Sequence, residues 1–530
     1  GMGNPNEFNY ARYLRFHNIL FRGYVNSKNW KLLSDGKPSL KRWFLKVRSQ
    51  LISKLEAARL QDDELAVASA LILGYRLDLD RELMAAYAEA GATHVLAVSG
   101  LHVGIVYVIF NMLLKFMDRS RKTRILKTII LILCLFGYAG LTGLSASVFR
   151  AATMFSFVAV GKMIDRSTNI FNTLAASAFC LILYEPMIVM QVGFQLSYAA
   201  VIGIVIVQPK LFNLIAFNNR LVDWAWSITC VSLAAQLATF PLGLLYFHQF
   251  PNLFLISNLL VIPAAAVILY LGFSLFLFSF WEPALLFFGF LLDSIIELLN
   301  DTVSLIERIP HSVLSGIDIS ILESLLIYGI ISSFLVFIAN KRFSGLYASL
   351  ILTVVLLAYQ VIETHSQKNQ KFIAIYNVRG ETAIALIEGK DVTFLSSKEM
   401  WEDEQRMLFH VRHHWWNKGI ENKNFVVLDE RTLNRELEWN GVQFSILDLD
   451  RPNDKVRLDK NVKTDFTLLH DLNWNTCYVI AQLQTKQIFV SNRIGAKTID
   501  KLETIVSEHE KISSLKPIRY GSCTLNSPPG

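Results

Sequence analysis

The chain has 530 residues, of which 53% are apolar and only 18% charged, and its formal net charge is +7 at pH 7. Soluble domains run near 45–50% apolar and about 25% charged, so this balance excludes a soluble enzyme, a disordered chain and a secreted disulfide scaffold. It points to a polytopic membrane protein with a soluble remainder. Five cysteines, Cys134, Cys180, Cys230, Cys477 and Cys523, include no CxxC pair, which argues against a zinc ribbon.

In chain order, Gly1 ahead of Met2 reads as a tag remnant, and residues 2–60 hold no long apolar core, so no cleavable signal peptide is expected. Residues 1–59 carry 12 Lys/Arg against 3 Asp/Glu, whereas residues 363–530 carry 23 of each. The positive excess therefore sits in the first segment, where it meets anionic lipid or nucleic acid or forms a solvated basic face. Ser39–Leu55 reads as a basic amphipathic helix. Leu40, Phe44, Val47, Leu51 and Leu55 fall at helical spacing, with Lys41, Arg42, Lys46, Arg48 and Lys54 around them. Such a helix lies in a membrane interface or packs on a soluble domain. Residues 65–90 read as a short helical approach.

Ten apolar runs of spanning length follow, at 95–116, 125–141, 144–164, 169–184, 189–208, 226–247, 253–280, 284–305, 321–339 and 343–362. The seventh is long enough to tilt or to break at Pro263. Basic residues favour the odd loops: Arg119, Arg121, Lys122 and Arg124 in the first, Lys162 and Arg166 in the third, Lys210 and Arg220 in the fifth, Lys341 and Arg342 in the ninth. That places the odd loops in the cytoplasm and, with ten spans, both termini outside. After Thr364 the pattern turns to β. Lys371–Tyr376, Thr382–Ile387, Asp391–Leu395, Phe425–Leu428, Val442–Leu447, Phe466–Leu469, Cys477–Gln482 and Ile488–Val490 read as strands, and Ala496–Glu508 as a helix.

Polar groups inside the apolar runs carry the chemistry. In Gly91–Gly104, two histidines and a Ser-Gly are costly to desolvate. Read as one helix, His94, Val98 and His102 share a side, with Ser99 three residues before His102. Gly100 and Gly104 allow close backbone approach or a local break. The group lines a face, joins helices by hydrogen bonds, or makes a nucleophile–base pair. Arg150 lies within a run, where an uncompensated arginine costs on the order of 2.5–3.5 kcal/mol, so it must face protein, water or a phosphate. Gln191, Gln195 and Ser197 are expected to approach one another near Gly193. Asn258, ahead of Pro263, is expected to cap or line a broken helix. Asp293, Glu297, Asn300 and Asp301 share a face that must be wet, paired or protonated, as an interfacial helix, a proton or cation site, or a partner for Arg150.

Several stretches occur together in order: Ala70-Leu-Ile-Leu-Gly74, His94-Val-Leu-Ala-Val-Ser-Gly-Leu-His102, Gly140-Leu-Thr-Gly-Leu-Ser-Ala-Ser-Val-Phe-Arg150, Val192-Gly-Phe-Gln-Leu-Ser-Tyr198, Phe240-Pro241 and Asn258-Leu-Leu-Val-Ile-Pro263. The set resembles the ComEC family of competence proteins, inner-membrane DNA channels of natural transformation, over about residues 3–362 and more weakly in the tail. The resemblance implies a polytopic α-helical membrane protein of about ten transmembrane helices with a C-terminal soluble α/β domain resembling a shortened metallo-β-lactamase fold. It divides the chain into a remnant of an OB-like extracellular domain (1–38), amphipathic interfacial helices (39–94), a transmembrane competence domain (95–362) and the soluble tail (363–530).

The function it implies is transport of single-stranded DNA across the cytoplasmic membrane. His94, Ser99, Gly100, His102, Gly104, Arg150, Gln195, Ser197, Asn258 and Pro263 would then form the channel motif, and Arg42, Lys46 and Arg48 the DNA approach. The implied partners are single-stranded DNA, membrane lipid, a DNA receptor outside and a cytoplasmic helicase, since no Walker A motif is present here. The oligomeric state stays open. No cofactor or metal is expected. The family's zinc motif, His-x-His-x-Asp-His, is missing, the acidic Gly-Asp pair is Gly380-Glu381, and His410, His413 and His414 read as exposed loop or helix histidines. Nuclease activity is therefore not expected. The alternatives are a membrane-anchored nuclease acting on incoming DNA and a small-solute or ion secondary transporter.

Overall fold

The computed structural model describes all residues except 1, 32–38, 167, 430–432, 451–462, 473–476, 478–479, 481–482, 508–511, 513, 519–520 and 527–530. It divides into two compact units, Leu14–Ile317 and Gly1–Tyr13 with Asp318–Gly530.

After a short helix α1 (Tyr10–Phe16), the first unit is helical: α2 (Leu40–Ala57), α3 (Asp62–Leu73), α4 (Arg81–Glu89), α5 (Thr93–Leu96), α6 (Gly100–Leu113), α7 (Arg121–Leu141), α8 (Ala146–Met163), α9 (Ile170–Tyr184), α10 (Val192–Phe212), α11 (Arg220–Phe247), α12 (Phe254–Leu277) and α13 (Glu282–Glu307). A two-stranded antiparallel ribbon pairs β1 (Gln249–Pro251) with β2 (Val313–Ser315). At its centre is α3, whose residues Ala66–Leu73 are all buried. Its first turn, Asp62-Asp-Glu64, places carboxylates at the positive end of the helix dipole. Its end is fixed by Gly74, which adopts φ +70° and stands so close to Thr142 that a Cβ would lie 2.9 Å from the Thr142 carbonyl oxygen. Only glycine meets both demands. Around α3 pack Leu55 from α2 and Ala58 just after it, Ile268 and Leu269 from α12, and Leu292, Ile296 and Leu299 from α13.

The second unit contains a helical hairpin, α14 (Ile321–Asn340) and α15 (Phe343–Lys368), closed by Gly345, where a Cβ would sit 2.7 Å from the Ser333 carbonyl oxygen. Beyond it come two five-stranded sheets. The first runs β12 (Cys523–Asn526), β3 (Lys371–Val378), β4 (Glu381–Glu388), β5 (Asp391–Ser396), β6 (Asn422–Val427). The second runs β11 (Ser514–Pro517), β10 (Thr485–Val490), β9 (Thr464–Leu472), β8 (Val442–Leu449), β7 (Arg435–Trp439). Side-chain alternation assigns the layers. Ile373, Ile375, Ile384 and Leu386 meet Phe444, Ile446, Phe466 and Phe489 between the sheets. Phe372, Ala374 and Tyr376 point the other way, against Met400, Met407 and Trp415 of the helical segment 398–417. Leu447, Leu469 and Ile488 pack on Ile499, Leu502 and Val506 of a helix at Ala496–Ser507. The result is a four-layer helix–sheet–sheet–helix arrangement, in which the central strands β3 and β4 are buried along nearly their whole length because both faces are covered.

Each of the ten apolar runs contains a helix. Six helices, α7, α10, α11, α12, α14 and α15, are long and apolar enough to cross a membrane, while α6 and α9 are shorter apolar helices. Many of their large apolar side chains are exposed, including Leu133, Ile256, Leu325 and Val354, as lipid-facing residues are. Two expectations change. The run at 95–116 is not one helix, because it breaks at Ala97–Ser99. Helix α12 continues through Pro263 without breaking. The strand expected at Cys477–Gln482 lies mostly outside the described residues, and Cys477 and Ile480 are not in strand.

Candidate functional site

The break at Ala97–Ser99 builds the site. Ser99 has extended backbone and caps α6, its Oγ accepting from the Leu101 N–H at 3.3 Å. His102 answers it: the Ser99 N–H donates to His102 Nδ1 at 3.2 Å, and Ser99 Oγ lies 3.0 Å from the same nitrogen. This is a reciprocal capping box with histidine in the place usual for Glu or Gln. Because Nδ1 accepts, the neutral ring carries its proton on Nε2. His102 is 1% exposed, and Nε2 has no hydrogen-bond partner among the described residues. His94 lies on α5, exposed, with Nδ1 3.1 Å from the Gly91 carbonyl.

Gly100 and Gly104, one turn apart, let α8 approach. A Cβ on Gly104 would lie 3.1 Å from the Phe155 ring, and one on Gly100 would lie 3.4 Å from Arg150 Nη2. Arg150 is 4% exposed, and its Nε and Nη1 have no partner among the described residues. Its guanidinium carbon stands 5.4 Å from the centre of the Tyr198 ring on α10. Tyr198 is held in turn: its hydroxyl lies 2.9 Å from Ser177 Oγ, which donates to the Leu174 carbonyl. Ser147 and Ser197 join α8 to α10, with their hydroxyls 3.2 Å apart. The structure thus brings together Ser99, Gly100, His102, Gly104, Arg150 and, through α10, Ser197.

Other candidates go elsewhere. Gln195 does not meet Ser197: its Nε2 donates to the Val189 carbonyl, and its Oε1 accepts from Tyr246 of α11. Gln191 donates to the Phe16 carbonyl. Asn258 is buried on α12 with Oδ1 unpartnered among the described residues, and it caps nothing, since α12 is continuous there. Arg42 and Lys46 are exposed on α2, whereas Arg48 lies over the Tyr75 ring at 5.4 Å. Asn300 accepts from the Tyr87 hydroxyl at 2.9 Å. Tyr198 and Ser147, both inside stretches singled out in the sequence, are the members that residue-type reasoning passed over; their helical offsets from Arg150 and Ser197 were the available signal.

The second unit holds a separate polar cluster at one end of its sheets. Asn4 Nδ2 donates to the Asn377 carbonyl and Asn4 Oδ1 accepts from the Asn377 N–H, at 2.9 and 2.7 Å. Asn377 Nδ2 donates to the Met2 carbonyl, and Asn492 donates to Asn377 Oδ1. Glu7 accepts from the Met2 and Asn4 N–H groups. Nearby, Ser397 donates to Glu381. The histidines of this unit are not exposed as expected. His410 is part-buried beside Asn4 and Glu7, and burial lowers its pKa, with Glu7 opposing and Arg406 adding. His414 is 2% exposed, 2.8 Å from the Tyr376 hydroxyl, and burial, aided by Lys418, lowers its pKa to about 4. Aromatic residues on both sides of His413-His414 were the sequence signal for a buried helix. Among the described residues, no group of three or more His, Cys, Asp or Glu side chains is arranged to hold a metal ion.

A family model described as "Competence protein" matches residues 71–341, just over half of the chain. The chain belongs to the competence protein family. A second model, "ComEC C-terminal domain", matches residues 373–512. Two curated relatives align. One is ComE operon protein 3 of Bacillus subtilis, 31% identical over 260 residues, covering 49% of this chain and 32% of that protein. The other is Recombination protein 2 of Haemophilus influenzae, 24% identical over 274 residues, covering 49% of this chain and 34% of that protein. The match thus reaches about a third of each relative's length. No solved structure matches. The competence region of 71–341 contains the capping box and Arg150, while α2 with Arg42, Lys46 and Arg48 precedes it.

Proposed function

We propose that this chain carries single-stranded DNA across the cytoplasmic membrane during natural transformation. One observation carries the reading: the competence region that defines the family membership is also the region that gathers Ser99, His102 and Arg150 inside apolar helices. A translocating strand brings one phosphate charge per nucleotide, and its passage favours buried cations, hydroxyls and amides over carboxylates. All ten apolar runs cross in this reading, α6, α8, α9 and α13 joining the six long apolar helices, and both termini lie on the outer side. The exposed Arg42 and Lys46 meet the strand first. A receptor outside hands it over and a cytoplasmic helicase supplies the pull.

The four-layer tail is a shortened metallo-β-lactamase-like domain without nuclease activity. Its sheet ends carry the amides of Asn4, Asn377 and Asn492 and the hydroxyls of Ser397 and Ser491 beside the carboxylates of Glu7 and Glu381, and the His-x-His-x-Asp-His spacing is missing from the sequence.

The test is uptake of linear marker DNA in a competent host deleted for this gene and complemented with this chain, wild type or His102→Ala. The expected deletion phenotype is DNA held outside the inner membrane and no recombinants. His102→Ala is expected to insert normally and to lower transformation. Unchanged recombinant numbers after deletion would refute the reading.

A further inference from the structure

We propose that the first turn of α6 and the Arg150 guanidinium together form a phosphate site, with the neutral imidazole of His102 donating to the same anion. The proposal rests on the DNA reading for its source of phosphate, but not for its geometry.

Arg150 is a buried cation with no carboxylate partner among the described residues. Two of its nitrogens, Nε and Nη1, have no hydrogen-bond partner among the described residues, and its third nitrogen lies close to Gly100, the first residue of α6. The start of α6 carries positive partial charge, although Ser99 already accepts from its Leu101 N–H. Setting a guanidinium against it places like charge on like charge. A structural arginine gains more from a helix C-terminus or a carboxylate, and this one has neither. The arrangement is complementary to a third body, a tetrahedral oxyanion. Its oxygens accept from the planar guanidinium fork and lie at the positive end of a 14-residue helix. His102 adds an independent observation. Its Nδ1 is committed to the Ser99 N–H, and this leaves Nε2–H as a buried donor with no acceptor among the described residues. The Tyr198 ring, its hydroxyl 2.9 Å from Ser177 Oγ, supports the guanidinium without accepting an N–H.

Free inorganic phosphate and the phosphodiester of a DNA strand offer this chemistry equally. The experiment uses the full chain purified in detergent, with thermal unfolding followed during titration at constant ionic strength. The probes are sodium phosphate against sodium chloride, then an abasic deoxyribose-phosphate oligomer.

Phosphate is expected to raise the wild-type midpoint. Arg150→Met is expected to unfold at or above the wild-type midpoint without phosphate, because it removes an unpaired buried charge, and to lose the phosphate response. Arg150→Lys keeps the charge without the fork and is expected to bind phosphate at least about tenfold more weakly. No phosphate response in wild type, or an undiminished response in both variants, overturns the site. If Arg150→Met does not fold, the lysine variant alone decides. A response to phosphate but not to the oligomer assigns the site to the free ion. Loss of marker uptake on gene deletion tests the DNA reading separately, so either idea can fall while the other stands.

Discussion

Acidification is expected to loosen the tail sandwich through His414. Its ring is 2% exposed, wedged beside Phe372 and bonded to Tyr376 on β3. Burial holds its pKa at about 4, against roughly 6.5 in an unfolded chain. Between those values the unfolded chain binds a proton that the folded one refuses, so stability rises with pH across this window. The contribution is complete above about pH 6.5 and is lost as pH falls toward 4, at about 1.4 kcal/mol per pH unit and on the order of 3 kcal/mol in all. His410 and His470, also lowered chiefly by burial, act in the same direction. Amide hydrogen exchange of residues 371–388 in the full chain, measured from pH 7 to pH 4.5 and corrected for intrinsic rates, reads the effect. Protection is expected to fall steeply in wild type and less steeply in His414→Gln. An identical pH slope in the two proteins, or an imidazole resonance of His414 titrating near 6.5, would refute the reasoning.

Three further outcomes are expected. Gly203→Ala should lower the detergent unfolding midpoint, because its Cβ would stand 2.6 Å from the Ala234 carbonyl oxygen on α11. Overpacking of this kind costs about 1–3 kcal/mol, while Gly137→Ala, with open space around it, should be neutral or stabilising. Ser99→Ala removes the cap on the Leu101 N–H and should cost about 1 kcal/mol. Combined with His102→Ala, it should cost less than the sum of the two, and strict additivity in a double-mutant cycle would show that the capping box is not a unit. Asn4→Ala removes both hydrogen bonds to the Asn377 main chain and should expose residues 2–7 to limited proteolysis, an effect absent from the neighbouring Asn9→Ala.

Apolar periodicity made the helices legible: nine of the ten runs fold as single helices close to the expected bounds, since burial in lipid or core rewards the same composition. It gave no warning of the break at Ala97–Ser99, where a local cap outcompetes helix continuation, although Ser-x-x-His follows the spacing of a capping box. Pro263 misled in the opposite sense, because packing around Ile268 and Leu269 keeps α12 intact despite the lost N–H. In the tail the strands were visible but the β7–β8 hairpin was not, even though Asn440-Gly441 adopts the two positive φ values of a tight hairpin turn. The site was half legible. Residue types identified Ser99, His102 and Arg150, but only the fold shows that Gln195 is spent on Tyr246 and that Tyr198 supports Arg150.

The pairing of Asn4 with Asn377 imposes parity on the whole chain. Two residues that exchange hydrogen bonds in both directions occupy the same aqueous compartment, so the polypeptide between them must leave that compartment and come back. The number of bilayer traversals between residues 4 and 377 is therefore even, whichever helices perform them. Six and ten both satisfy this; nine or seven would not. The chain behaves as a closed circuit threaded through the membrane, and deleting any one traversing helix unlatches Asn4 from Asn377 unless a second helix also stops crossing.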